Sequence, residues 1–229
     1  MNEAEITTLT VRFTNRMKQE ELPFFRGAVI HSAENADVLF HNHMSDDRLR
    51  YAYPLIQYKC IDGQAAVVCI GDGIADIENF LAHNPDSVRI GRRQEQLLIF
   101  RISKATTRLR LTPEWHGYRI HRYLPLSQEN YAQYRKMESV VERYALLERC
   151  LVGNILSFAK GMGVFFDTDV KVALQQVDNI RPYEFKKMKM MGFDIVFKTN
   201  AVLPANIGLG RKVSFGFGVL TECDDLCQH

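Results

Sequence analysis

The 229-residue sequence predicts an α+β protein built from two halves with the same order of elements, and three observations carry that reading. Short alternating apolar runs occur at residues 5–13, 50–59 and 97–102, the pattern of half-buried strands. Segments beginning near Leu22 and Ile74 instead place apolar residues three and four apart, as helices do. Asp62-Gly63 separates two strand-like runs, the strongest short-range signal for a two-residue hairpin turn. The first half therefore reads β-α-β-β-α-β, the split ferredoxin-like (RRM-like) order.

Each element has its own justification. EITTLTVRF at 5–13 alternates as a strand, and Pro23 opens the helix that carries FFRGAVIHSA. Residues 34–49 are polar and contain His41, Asn42 and His43, so they read as a loop. RYAYPLIQYK (50–59) and QAAVVCI (64–70) form the expected hairpin. IADIENFLAH supplies the second helix, and LLIFRI at 97–102 the fourth strand. The second half starts with a strand at 117–126 and a helix start at Ser127. A long helical region follows from Tyr131 to about Lys160, with a break expected near Gly153. Strands are expected at 170–177 and 193–198, and a glycine-rich stretch closes the chain. The second half is thus a degenerate β-α-β-β-loop-β repeat. The fold class is tandem ferredoxin-like domains with a C-terminal glycine-rich loop. Pro113 and Gly117 punctuate the junction, which places the domains at 1–112 and 113–229.

Composition sets outer bounds. Hydrophobic residues are 46% and charged residues 24%, which fits a globular chain and argues against disorder. The formal net charge of +2 neither requires nor excludes nucleic acid, so the distribution decides. Arg89, Arg92, Arg93, Arg101, Arg108, Arg110, Arg119 and Arg122 crowd one span that holds only Glu95 and Glu114 as acids. Five cysteines, an odd count with no CxxC pair, suit a reducing cytoplasm better than a disulfide framework or a zinc site. The N-terminal MNEAEITTL does not read as a signal peptide, and no apolar run reaches membrane-spanning length. A cytoplasmic protein is expected.

The sharpest local feature is Gly208-Leu-Gly210-Arg211-Lys212-Val-Ser214-Phe-Gly216-Phe-Gly218. Glycines allow positive φ and close backbone approach. Successive amides in such a loop can point at a phosphate, and Arg211, Lys212 and Ser214 add donors to the same anion. The spacing fits neither a Walker A loop nor a dinucleotide-binding turn. A bulged edge strand with glycines at its bends is the competing reading.

GLGRKVSFGFGVL resembles the glycine-rich loop of the repeat-associated RNA-binding superfamily (RAMP) of CRISPR systems. Within it, the chain is similar to the endoribonucleases that cut the CRISPR repeat transcript into guide RNAs. Phe25-Arg26-Gly27-Ala28 resembles the family's first-helix motif, and HNHMSDDRLRYAYPL lies where many members keep a catalytic histidine. The resemblance implies metal-independent cleavage with no cofactor, in which a 2′-hydroxyl attacks the adjacent phosphorus. His43 is then the first choice for the base, with His41 and His31 behind it and Arg50 or Arg48 near the phosphate. Many members carry a lysine soon after the histidine; here the first is Lys59. The RNA-binding set is Gly208, Gly210, Arg211, Lys212, Ser214, Gly216 and Gly218, with Trp115, Tyr118 or Tyr123 available to stack on a base. Gly210→Asp and Arg211→Glu are expected to weaken RNA binding with the fold intact. The implied partner is the repeat transcript, with an effector complex and a homodimer left open. So are two other readings: a non-catalytic RNA-binding subunit, and a ferredoxin-like regulatory module unrelated to RNA.

Overall fold

The computed structural model describes residues 1–32, 53–82, 87–185 and 188–223. The chain forms two compact units. The N-terminal unit takes Ile6–Thr106 together with Val213–Gly216; the C-terminal unit takes Thr107–Lys212, Met1–Glu5 and the residues from Phe217 onward.

In the N-terminal unit, β1 (Ala4–Arg16) leads through a short 3-10 turn (Gln19–Glu21) into α1 (Leu22–Ser32). β2 (Ile56–Ile61) and β3 (Gln64–Ile70) follow as an antiparallel hairpin. Its turn residues Asp62 and Gly63 both have positive φ, 50° and 73°, as the Asp-Gly pair requires. α2 (Gly73–Ala82), a small hairpin of β4 (Val88–Ile90) and β5 (Arg93–Glu95), and the start of β6 (Ile99–Tyr123) complete the unit. The strand order β2-β3-β1-β6 is that of a ferredoxin-like sheet. The alternation in β1 and β3 puts Leu9, Val11, Phe13, Ala65, Val67 and Cys69 into one cluster with Phe25 and Val29 of α1 and Ile77 and Phe80 of α2. Phe25 meets Phe13 and Tyr58 edge-on, with ring centroids 6.0 and 5.8 Å apart. Burial of such side chains contributes about 1.5–3 kcal/mol each. The expected strand at 50–59 starts only at Ile56 among the described residues. Pro54 has no N–H to give a ladder, and its carbonyl instead accepts from Gln57 Nε2.

The C-terminal unit repeats the order. The second half of β6 pairs with β8 (Met188–Val202), β8 with β7 (Val172–Phe185), and β9 (Val219–Glu222) with β6, all antiparallel. No strand boundary falls in 106–116. One strand runs through, and a register irregularity between Leu111 and His116 absorbs Pro113. The helical region is two helices, α3 (Gln128–Lys136) and α4 (Val140–Gly161), so the break lies at 137–139 and not near Gly153. Ser139 Oγ accepts from Val141 N to cap α4, and the Arg143 guanidinium donates to the Met137 carbonyl at the end of α3. α4 buries Leu147, Leu151, Ile155 and Phe158. Where a ferredoxin-like unit would place a second helix, between β8 and β9, this unit carries the glycine-rich segment. No helix among the described residues is long and apolar enough to cross a membrane.

Candidate nucleic-acid interface

The glycine-rich segment is held by its own backbone. Leu209 N donates to Gly218 O at 2.9 Å and Leu220 N to Ile207 O at 2.9 Å, so the two ends of the loop pair with each other. Gly218 sits at φ +66°, and a Cβ there would overlap the Leu209 carbonyl. Gly210 sits at φ +92°, with its missing Cβ 2.8 Å from the Tyr123 ring. Another residue type would collide with the backbone at Gly218, and at Gly210 it would take a disfavoured positive φ and displace the Tyr123 ring.

That tight construction corrects the expected phosphate cradle. The amides of Leu209, Arg211, Gly216 and Gly218 all donate to carbonyls of the protein, those of Gly218, Leu124, Val213 and Arg122. In this conformation those four are not available to a ligand. It also corrects the expectation for Gly210→Asp, which would strain the loop and not merely add charge. The side chains remain. Arg211 is exposed and only its Nη1 touches a carbonyl, Leu126 O at 3.5 Å. Lys212 Nζ lies 4.9 Å over the Phe185 ring, and Ser214 is half-buried. Arg211 borders a cleft of about 620 Å³ with Ser127, Gln128 and Tyr131 at the start of α3 and with Lys189 of β8.

The aromatic residues of the segment are fixed by arginines that sequence reasoning does not assign to it. Arg122, at φ 53°, places its guanidinium 4.9 Å from the Tyr183 ring and 4.7 Å from Phe217. Arg26 of α1 lies 5.0 Å over Phe215 and 5.9 Å over Tyr58, and Phe215 forms a parallel bridge with Tyr58. Burial pushes the Tyr58 hydroxyl well above its ordinary pKa, with the Arg26 charge opposing. Arg26 of the first-helix motif thus has a structural partner in Val213–Gly216.

Of the stacking candidates, only Trp115 is exposed. Tyr118 and Tyr123 belong to the core. Tyr118 Oη accepts from Leu203 N at 2.9 Å, and Tyr123 Oη from Asn154 Nδ2 at 2.5 Å. Their alternation with Arg119 and Arg122 suggests an open face, but both rings are held inside their own unit.

His41, His43, Arg48 and Arg50 lie outside the described residues. His31 is described. It occupies the last turn of α1, exposed, and lines a cleft of about 760 Å³ with Arg89, Arg92 and Arg93 of the β4–β5 hairpin. The crowded arginines of the sequence therefore divide. Three share that hairpin, while Arg108 pairs with Glu3 in the C-terminal unit. Lys59 is fully buried, and its Nζ meets no hydrogen-bond acceptor among the described residues. Burial lowers its pKa to about 7.

Residues 4–108 match the Cas6b N-terminal domain model, and residues 110–223 match the Cas6b C-terminal domain model. A protein solved as Cas6b is 25% identical, with TM-score 0.86 over 96% of this chain and 100% of that one. A second, described as the CRISPR RNA processing endoribonuclease Cas6b, is 24% identical with TM-score 0.72 over 96% and 100%. A type IV Cas6 crRNA endonuclease shares the fold at 11% identity and TM-score 0.57, over 96% and 100%. An uncharacterized protein of Methanocaldococcus jannaschii is 32% identical over 103 residues, 45% of this chain and 69% of that protein.

Proposed function

This chain belongs to the Cas6b family, and on that premise we propose that it is an endoribonuclease that cuts CRISPR repeat transcripts into guide RNAs. The observation that carries the reading is the glycine-rich segment standing where the second helix of the C-terminal unit would be. Its glycines admit no side chain at Gly210 and Gly218, and it presents Arg211 outward.

The reaction we assign needs no metal. A base removes the proton of the 2′-hydroxyl, and the oxygen attacks the neighbouring phosphorus. The bond to the 5′-oxygen breaks, and an acid returns a proton to that oxygen. The products carry a 2′,3′-cyclic phosphate and a 5′-hydroxyl. Histidine suits both proton transfers because its ordinary pKa is near neutrality. A positioned base contributes about 10²–10⁴ in rate. His43 is assigned as the base, with His41 and His31 as the other proton-transfer groups and Arg50 near the phosphoryl oxygens. The cation also stabilises the charge that gathers on phosphorus. Arg211, Lys212 and Ser214 hold the backbone of the transcript, and the cytoplasm is where it would be met.

The test is cleavage of an end-labelled repeat RNA in the presence of a chelator. The wild type should leave a 2′,3′-cyclic end, and His43→Ala should cut at least about 100-fold more slowly. Equal rates for the two proteins would remove His43 from the mechanism. Loss of cutting on chelation would overturn the metal-independent route.

A further inference from the structure

Gly27 has no evident structural reason to be glycine. It sits in the interior of α1, where glycine costs a helix stability relative to alanine. Yet a Cβ built on it meets nothing within 4 Å. Glycine in such a place suits close approach of a ligand to the helix backbone. Gly27 faces the 760 Å³ cleft, whose size falls in the usual range for binding clefts, roughly 300–1,000 Å³.

The cleft has a definite chemistry. One turn before Gly27, Phe24 is 57% exposed although it lines the same wall. The hairpin turn at Gly91 packs against that ring, 3.8 Å from Cγ to the position of a Cβ, which holds the ring from one side. Glu21 is the one acid among the described lining residues, and Arg93 neutralises it at 2.6 Å while also bonding Glu95 at 2.9 Å. Arg93 thus fastens the hairpin to the turn before α1. Arg89 and Arg92 are exposed on the same wall and form no ion pair among the described residues. The result is an aromatic face, a strip of helix backbone without a side chain at Gly27 and two guanidinium groups that form no ion pair among the described residues. An aromatic platform beside cations is what a single-stranded nucleic acid recognises.

We propose that the cleft between α1 and the β4–β5 hairpin binds a single-stranded stretch of the RNA, with a base stacked on Phe24, the sugar–phosphate chain crossing Gly27, and phosphates on Arg89 and Arg92. This rests on the RNA-processing reading and adds to it a second binding region, away from the glycine-rich segment in sequence, in the cleft that His31, assigned above to proton transfer, also lines.

The experiment measures binding of a fluorescein-labelled ten-nucleotide oligouridylate and of the full repeat RNA to the intact chain across a salt series. Gly27→Leu fills the cleft with a better helix former, so its melting temperature should equal or exceed that of the wild type. Its affinity for the oligouridylate should fall about tenfold, as should that of Phe24→Ala. Arg89→Glu with Arg92→Glu should lower the salt slope by roughly 1.4 on single strands, about 0.7 for each phosphate no longer neutralised. If Gly27→Leu and Phe24→Ala bind like the wild type while Arg211→Glu does not, the cleft is not an RNA site and the processing reading stands. If the wild type binds neither RNA, both readings fall together. An oligouridylate displaced by polyglutamate as readily as by unlabelled RNA would overturn the proposal in favour of an acidic protein partner.

Discussion

Lys59 shows how a single residue can defy its local pattern. In the run Ile-Gln-Tyr-Lys-Cys-Ile the alternation assigns Tyr58 to the core and Lys59 to the opposite face, where solvent is the ordinary expectation. In the structure both faces of β2 are covered, and Gln57 and Lys59 are each fully buried. Period-two alternation distinguishes the two faces of a strand but cannot report that both are covered. The consequence is a pH dependence with a definite sign. Lys59 has a pKa near 7 when folded, against an ordinary 10.5. Between those values the unfolded chain binds the proton and the folded chain does not. Stability is therefore lowest near and below neutrality and rises as pH goes from about 7 toward 10, by at most about 1.4 kcal/mol per pH unit from this group. Lys59→Met should raise the denaturation midpoint at pH 7 and flatten the difference between pH 7 and 9. A lower midpoint for that variant would mean that the ammonium has a stabilising partner.

At the scale of elements, the helices of the C-terminal unit separate what is legible from what is not. Glycine alone points to a break at Gly153, yet α4 runs through it and a Cβ there would meet nothing. Gly153→Ala should therefore stabilise the protein by about 1 kcal/mol, read as a shift in the urea midpoint with an unchanged slope. The true break is written in the sequence as Ser139-x-x-Glu142 before an apolar run, a helix-start signature stronger than an interior glycine. The Asp62-Gly63 hairpin and the start of α1 at Leu22 are legible because turn and start chemistry are local. β6 looks like two strands in the sequence because Pro113 marks an irregularity within one strand, and only the pairing partner shows that the strand resumes.

At the scale of the molecule, both halves place their strands in the same relative order, and the second replaces a helix with a glycine-rich loop. The glycine spacing is visible in the sequence because close packing leaves no alternative residue at Gly210 and Gly218. The full use of the loop amides is not, since two of the four acceptors, Leu124 and Arg122, are more than 80 residues distant in the chain. Side-chain charge is what the loop retains for a ligand. Arg211→Glu should leave the melting temperature within a degree or two of wild type, because the hydrogen bond its side chain makes among the described residues is a long one to a carbonyl. It should weaken RNA binding at low salt and reduce the dependence on salt by about 0.7 for the one phosphate it releases on single strands. Unchanged binding at every salt concentration would leave the loop a purely architectural feature.

Val213–Gly216 belongs to the N-terminal unit although it is encoded near the end of the chain, and Phe215 there meets Tyr58 and Arg26. During synthesis the first ferredoxin-like unit can begin to collapse, but it lacks four of its own residues until position 216 has been translated. A fragment cut at the junction of the halves inherits the same gap, so maturation of the N-terminal fold is tied to synthesis of the second half.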